Sequence, residues 1–402
     1  MDPTRAHAVA TSLATPRSRR QALKALTATA LGAPFALNGI GTAVAAPQEP
    51  LSTQPATVDS EAAAAIVAMA QEAMTQYDLK AVILSVSIGT QTVVTTALGE
   101  SMTGVPATTH MHFRNGNVAV SYLATVLLQL VDQRRVCLDD PLATWLPSLP
   151  HAERITLRML AASRSGYVDY ETTPAFVDAV MANPFRAWNP QELIEIGTSQ
   201  PLRYPPGTSW NYAHTNFVIL GLALEQITGQ PVATLLHERI LAPLGLQDTE
   251  SWSTAEIRPP VLHAFTSDRG IYEESTYWNP SWTLARGAIM TSSIEDVRKS
   301  AIAIGAGTLV SPAAHMEQLA PISVITPEPL IYYGLGVALN NSWVFQQPLF
   351  FGYQGVMAYL PAKQIAIAVA NTVGEQGSPS ANHSALLFKR IATYLAPEQP
   401  PA

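Results

Sequence analysis

Tyr212 and His214 stand one residue apart in the polar stretch Ser209-Trp210-Asn211-Tyr212-Ala213-His214. Placed on an exposed loop, both side chains would face one cleft. A phenol and an imidazole there can exchange protons, and a histidine titrating near neutrality serves as a base or as a seat for an acidic ligand. The plainer reading of His214 is a hydrogen bond within its own loop. Both stay open from the sequence.

Other reactive side chains carry weaker signals. His110 and His112 flank Met111 with no third ligand at zinc spacing, so they read as surface residues and no metal or other cofactor is expected. The single cysteine, Cys137, lies between Val136 and Leu138; it reads as a small buried hydrophobe, and no intramolecular disulfide is possible. Asn117 opens an apolar helical pattern and reads as its N-cap, the side chain bonding a free backbone N–H. Ser121, one turn further in, reads as bonding a helix carbonyl. Ser163 and Ser165 flank the loop after Leu160. Trp278, Trp282, Tyr272 and Tyr277 read as closing a core, with a surface for an apolar or glycan ligand as the alternative.

These residues sit in a chain of 402 residues with a formal net charge of -7, 48% hydrophobic and 13% charged. That composition belongs to a globular protein with a large core, and its acidic balance gives no reason to expect a nucleic-acid partner. At the start, Ser18-Arg19-Arg20-Gln21-Ala22-Leu23-Lys24 precedes a weakly apolar stretch to Val44 and small residues at Ala43 and Ala45. This order reads as an export signal of the twin-arginine type over residues 1–45, cleaved after Ala45, with a linker over 46–60 and no stable membrane span after cleavage.

Periodicity then predicts a helix over Glu61 to Tyr77, a hairpin from Val82 to Ala97 closed at Gly89-Thr90, and a helix from Asn117 to Val131. From about Thr156 to Glu250 the pattern is helical and broken by Pro/Gly turns. Strands return at Gly336 to Asn340, Val356 to Leu360 and Ile365 to Asn371, and Ala385 to Leu395 reads as a last helix. Strands at both ends of the chain with helices between them predict one sheet assembled from both termini.

In this order, several local sequences resemble the serine β-lactamase and penicillin-binding-protein superfamily, closest to its class C β-lactamase and D-alanyl-D-alanine carboxypeptidase branch. They are Phe113 to Val120, Leu128 to Val131 with Leu138 to Pro141, Ser165-Gly166, Pro206-Gly207-Thr208 with Tyr212, Pro243 to Leu246 with Asp248-Thr249, Gly287 to Asp296, and Tyr333 to Gly336. The resemblance runs from about Ala62 to Leu395. It implies an α+β, β-lactamase/transpeptidase-like fold: an antiparallel sheet flanked by helices, from about 61–115 and 285–396, with an inserted all-helical lobe over about 116–284. Residues 397–402 are expected to form a disordered tail.

The family uses a Ser-x-x-Lys at the start of the long helix, a Tyr-x-Asn loop, and a Lys or His, one variable residue and Gly on a sheet strand. This chain departs from all three. Asn117 and Val120 stand where the resemblance puts serine and lysine, Tyr212 is kept but followed by Ala213-His214, and Gly352-Tyr353-Gln354-Gly355 carries Tyr353 in place of the cation. An amide is not an acyl acceptor and valine moves no proton. The cleft would then be lined by Asn117, Tyr212, His214, Tyr353, Gln354 and Gly355, with Tyr353 either packing or touching ligand. The resemblance with these losses implies an exported, non-catalytic envelope protein that binds a peptidoglycan-derived or small ester/amide ligand, or acts as a scaffold for a protein partner the sequence does not identify. The alternative is an active hydrolase or transacylase working around Tyr212 and His214.

Overall fold

The computed structural model describes residues 60–326 and 331–402. The export signal and linker expected before them lie outside the described residues.

The chain opens with helix α1 (Ser60–Tyr77), whose Ala62, Ile66, Ala70 and Ala73 form one buried stripe at four-residue spacing. Strands β1 (Leu79–Ile88) and β2 (Gln91–Met102) follow as a hairpin turned at Gly89, whose φ of +57° suits a residue without Cβ. Both strands run longer than the alternating runs that announced them. A short β3 (Val105–Pro106) extends that edge. The later strands are β4 (Ser323–Thr326), β5 (Ile331–Tyr333), β6 (Ala338–Asn340), β7 (Trp343–Gln346), β8 (Leu349–Phe350), β9 (Tyr353–Leu360) and β10 (Ile365–Val373). Among the described residues they make one sheet in the order β3-β2-β1-β10-β9-β7-β6-β5-β4, with β8 paired to β9. Its pairings are antiparallel, and β1 meets β10 directly, Leu84 opposite Val369. The sheet is thus closed by strands from both ends of the chain.

Period-two alternation divides β1 between two cores. Val82, Leu84 and Val86 face α1 and the last helix, while Ala81 and Ile83 join the larger core on the other side. That larger core is centred on helix α2 (Val118–Asp132), buried on every face from Val118 to Leu128. It packs beneath an added helical lobe that includes α3 (Pro174–Ala182), α4 (Pro190–Thr198) and α5 (His214–Thr228). Helix α6 (Ile294–Ala306) returns the chain to the sheet and α7 (His383–Leu395) covers its far face.

Three expectations are corrected here. Cys137 is exposed, because the extended segment turns Val136 and Leu138 inward and the residue between them outward. His112 is only 4% exposed: its Nε2 lies 3.0 Å from Arg258 Nη2, and its Nδ1 lies 3.2 Å from Pro260 O. The C-terminal tail is tied to the turn between β6 and β7: Trp343 Nε1 donates to Gln399 O at 2.9 Å, and Asn340 exchanges two hydrogen bonds with Ala402. Among the described residues no single helix is long and apolar enough to cross a membrane.

Candidate functional site at the start of the buried helix

Phe113 and Arg114 pair with Ser292 and Thr291, and Asn115 Nδ2 donates to Ser292 Oγ at 2.9 Å, which fixes the chain as it enters α2. Gly116 follows at φ +51°; a Cβ there would stand 2.7 Å from Pro348. Asn117 precedes the first helical residue at φ -71° and ψ 3°, and its side chain makes no capping bond. The expected cap is therefore absent. The amides it would have bonded are taken by backbone: Val118, Ala119 and Val120 donate to the carbonyls of Asn115, Gly116 and Asn117 at 3.2, 3.2 and 3.0 Å. Asn117 Oδ1 is left buried with no hydrogen-bond partner.

Val120 is fully buried, and its carbonyl would lie 2.9 Å from a Cβ on Gly336, whose φ of +67° lets the backbone approach α2. Ser121 Oγ donates to Val118 O at 2.6 Å, as its helical position suggests. Ser163 Oγ donates to Asn211 O at 2.9 Å and accepts from Ala213 N at 3.0 Å and Asn216 Nδ2 at 3.1 Å. Ser165 Oγ accepts from Tyr167 N at 3.0 Å within its turn. All three serines are thus engaged in shaping backbone rather than aimed at a substrate.

Tyr212 and His214 do come together. Their rings meet edge-on, centroids 5.0 Å apart at 85°, and Tyr212 also touches Phe217 and Tyr333. The setting differs from an open loop, because His214 is the first residue of α5. Its Nδ1 lies 3.2 Å from Asp169 Oδ2 and 3.1 Å from Glu171 Oε1, and its backbone N–H donates to Asp169 Oδ1 at 3.2 Å. Both carboxylates are buried. The imidazole therefore locks the Asp169–Glu171 turn to the head of α5.

Tyr212 Oη is buried without a hydrogen-bond partner. Burial raises this phenol well above its ordinary pKa, and the nearby Tyr333, Glu171 and Asp169 add to that. Asn117 opposes the rise from beside the hydroxyl, short of hydrogen-bond geometry. Valine at position 120 offers no positive charge to reverse it. At neutral pH the phenol keeps its proton.

On the sheet, alternation separates Gln354 from Tyr353 and Gly355, the three residues expected together. Tyr353 is 3% exposed and its Oη donates to Leu262 O at 2.5 Å, so the ring packs beneath a loop. Gln354 points to the opposite face, where its Oε1 accepts from Asn371 Nδ2 and His383 N, both at 2.9 Å. Gly355 lies against Pro348. The strand segment that meets the start of α2 is instead the end of β7 and the turn after it, Gln346 to Pro348. Gln346 is 3% exposed, donates through Nε2 to Gly336 O at 2.6 Å, and stands beside the Tyr333 hydroxyl, which nevertheless has no partner in hydrogen-bond geometry.

Sequence reasoning therefore missed Asp169, Glu171, Trp210, Tyr333, Gln346 and Pro348. The signal available was Gln346-Gln347-Pro348, where proline ends a strand pattern.

Asn117, Trp210, Tyr212 and Tyr333 form one contiguous group, with Trp210 and Tyr333 rings 5.7 Å apart. Arg114 is committed elsewhere: its guanidinium donates to Glu256 O at 3.4 Å and to Ala255 O, and burial brings its pKa down to about 10. Among the described residues no group of three or more His, Cys, Asp or Glu could hold a metal ion. A cavity of about 500 Å³ between α3 and the Ser267–Gly270 turn shares no lining residue with this group.

The chain has extensive likeness to known proteins. Penicillin-binding protein 4 of Amycolatopsis lactamdurans is 29% identical over 188 residues, 45% of this chain and 46% of that protein. A D-aminopeptidase of Brucella anthropi is 31% identical over 160 residues, 40% of this chain and 27% of that one. The chain thus spans less than half the length of these curated relatives. Among solved structures, the D-amino acid amidase of Ochrobactrum anthropi SV3 superposes with a TM-score of 0.72 at 23% identity, over 84% of this chain and 99% of its own, a likeness of fold. The family model described as Beta-lactamase matches residues 66–388. Since that match runs through the sheet, the buried helix and the helical lobe alike, the chain belongs to the β-lactamase family.

Proposed function

We propose that this chain is an exported member of its family that does not perform acyl transfer, and that the residues around the start of α2 bind a small envelope-derived ligand or hold a protein partner. The observation that carries this reading is chemical: Asn117 and Val120 stand at the helix start, and neither is a nucleophile or a base. A serine-hydrolase unit that loses one member falls by about a millionfold in turnover, and further losses add little. The protonated Tyr212 phenol does not replace the missing base. Export rests on Ser18-Arg19-Arg20 and the apolar stretch after it.

Relatives named as D-stereospecific amidohydrolase, D-amino acid amidase and D-aminopeptidase direct the ligand search to small D-amino-acid amides and esters as well as peptidoglycan fragments. The test joins two measurements on one preparation. Turnover of a chromogenic cephalosporin and of p-nitrophenyl esters is expected at the rate of buffer alone, while a thermal-shift screen with these ligands is expected to give a saturable rise in melting temperature. Measurable turnover overturns the first half, and a flat screen the second.

A second reading keeps some catalysis, with Tyr212 and His214 activating water on an ester. Its support is the placement of His214 between two buried carboxylates and edge-on to the phenol. It requires ester hydrolysis above background that Tyr212→Phe abolishes.

A further inference from the structure

Four polar atoms in the contiguous group at the start of α2 are buried without a hydrogen-bond partner: Asn117 Oδ1, Trp210 Nε1, Tyr212 Oη and Tyr333 Oη. Asn117 stands beside the Tyr212 hydroxyl and Gln346 beside that of Tyr333, both short of bonding geometry, and all four atoms remain unmet; buried polar groups are nearly always satisfied, so such a cluster marks a site that a polar ligand can complete. Trp210 and Tyr212 lie on the segment between Gly207 and the head of α5, and each is partly exposed.

The chemistry of the occupant follows from the atoms it must meet. Trp210 Nε1 can only donate, Asn117 Oδ1 can only accept, and each phenol can do either. An anion is disfavoured, because the charged groups that bear on Tyr212 are Asp169 and Glu171, while Val120 and Gln346 are neutral and Arg114 is bound to loop carbonyls. An ammonium group offers no acceptor and would leave the Trp210 N–H unmet. A single hydroxyl makes at most three hydrogen bonds. A primary carboxamide makes four: two lone pairs to receive the indole N–H and one phenol, and two N–H groups for Asn117 Oδ1 and the other phenol.

We infer that the group formed by Asn117, Trp210, Tyr212 and Tyr333 binds an uncharged primary carboxamide and rejects the corresponding carboxylate. This rests on the ligand-binding reading above and names its chemical class.

Two matched pairs test it by calorimetry on the full chain at pH 7.5: N-acetyl-D-alanyl-D-alanine amide against its free acid, and benzamide against benzoate. Each amide is expected to bind at least about tenfold more tightly than its acid, a ratio that one unpaired buried polar contact accounts for. Trp210→Phe, which keeps a ring and removes the donor, is expected to lower amide affinity by about tenfold and leave the acid unchanged. Equal or tighter binding of the acids overturns the inference, and so does an amide affinity indifferent to Trp210→Phe in a folded variant. If benzamide is preferred over benzoate and neither peptide binds, the carboxamide inference stands and the envelope-ligand reading falls. If nothing binds, both fall.

Discussion

Two residues, Asn117 and Val120, decide what the helix start can do. A serine there would need a neighbour to take its proton, and Val120 and the protonated Tyr212 cannot. Asn117→Ser alone is therefore expected to form no acyl adduct with a penicillin; an adduct would mean that a base had been overlooked. The unmet hydroxyl of Tyr333 leads to a second expectation. Its ring is packed and its Oη has no partner, so Tyr333→Phe removes a desolvation cost and keeps the packing. Stability by urea unfolding is expected to stay level or rise by about 1 kcal/mol. A loss of that size would show that the hydroxyl is satisfied. His214 works the other way, since it bridges to two buried carboxylates. His214→Ala is expected to destabilise by about 3 kcal/mol, and a neutral effect would remove it from the architecture of the site.

At the scale of elements, the site is set by how close two backbones come. Gly336 lets the turn between β5 and β6 approach α2, where a Cβ would stand 2.5 Å from Ala124 Cβ at a φ of +67°. Gly336→Ala is expected to cost about 2 kcal/mol or more, and denaturant unfolding measures it. On the opposite face, His383 at the head of α7 bonds Gln354 and stacks on Tyr77 with centroids 4.8 Å apart. Burial lowers its pKa from 6.5 to about 4. The folded state thus resists a proton that the unfolded state accepts. Stability from this residue is whole above pH 6.5 and declines as pH falls toward 4, by about 3 kcal/mol over that window. His383→Gln is expected to flatten that part of the pH profile relative to the unsubstituted protein, and an unchanged profile would contradict the assignment.

For the whole molecule, the sheet built from both chain ends was legible because Val82 to Ile88 and Ile365 to Asn371 alternate clearly, and the buried helix because Leu123, Val126, Leu127 and Leu130 share a face. The helical lobe was legible from its Pro/Gly-broken periodicity. The site was harder to read for a physical reason: its members come from five separate stretches, and spacing reveals only neighbours along the chain. Thus Tyr212 and His214 were found together, but Asp169, Glu171, Tyr333 and Gln346 reach them only through tertiary packing. Gln354 was misplaced because a motif match ignores which face of a strand each residue takes. The tail was misjudged because its hydrogen bonds, from Asn340, Asn341 and Trp343, are made by residues about sixty positions away.

The proposal that this chain performs no acyl transfer is tested most directly by the mass of the intact protein after incubation with a reactive penicillin or a fluorophosphonate. The expected spectrum is that of the unreacted chain, with no stoichiometric addition even at long times. A single stable adduct that maps to a residue beside Asn117 or Tyr212 would establish a working nucleophile and contradict the absence on which the functional reading stands.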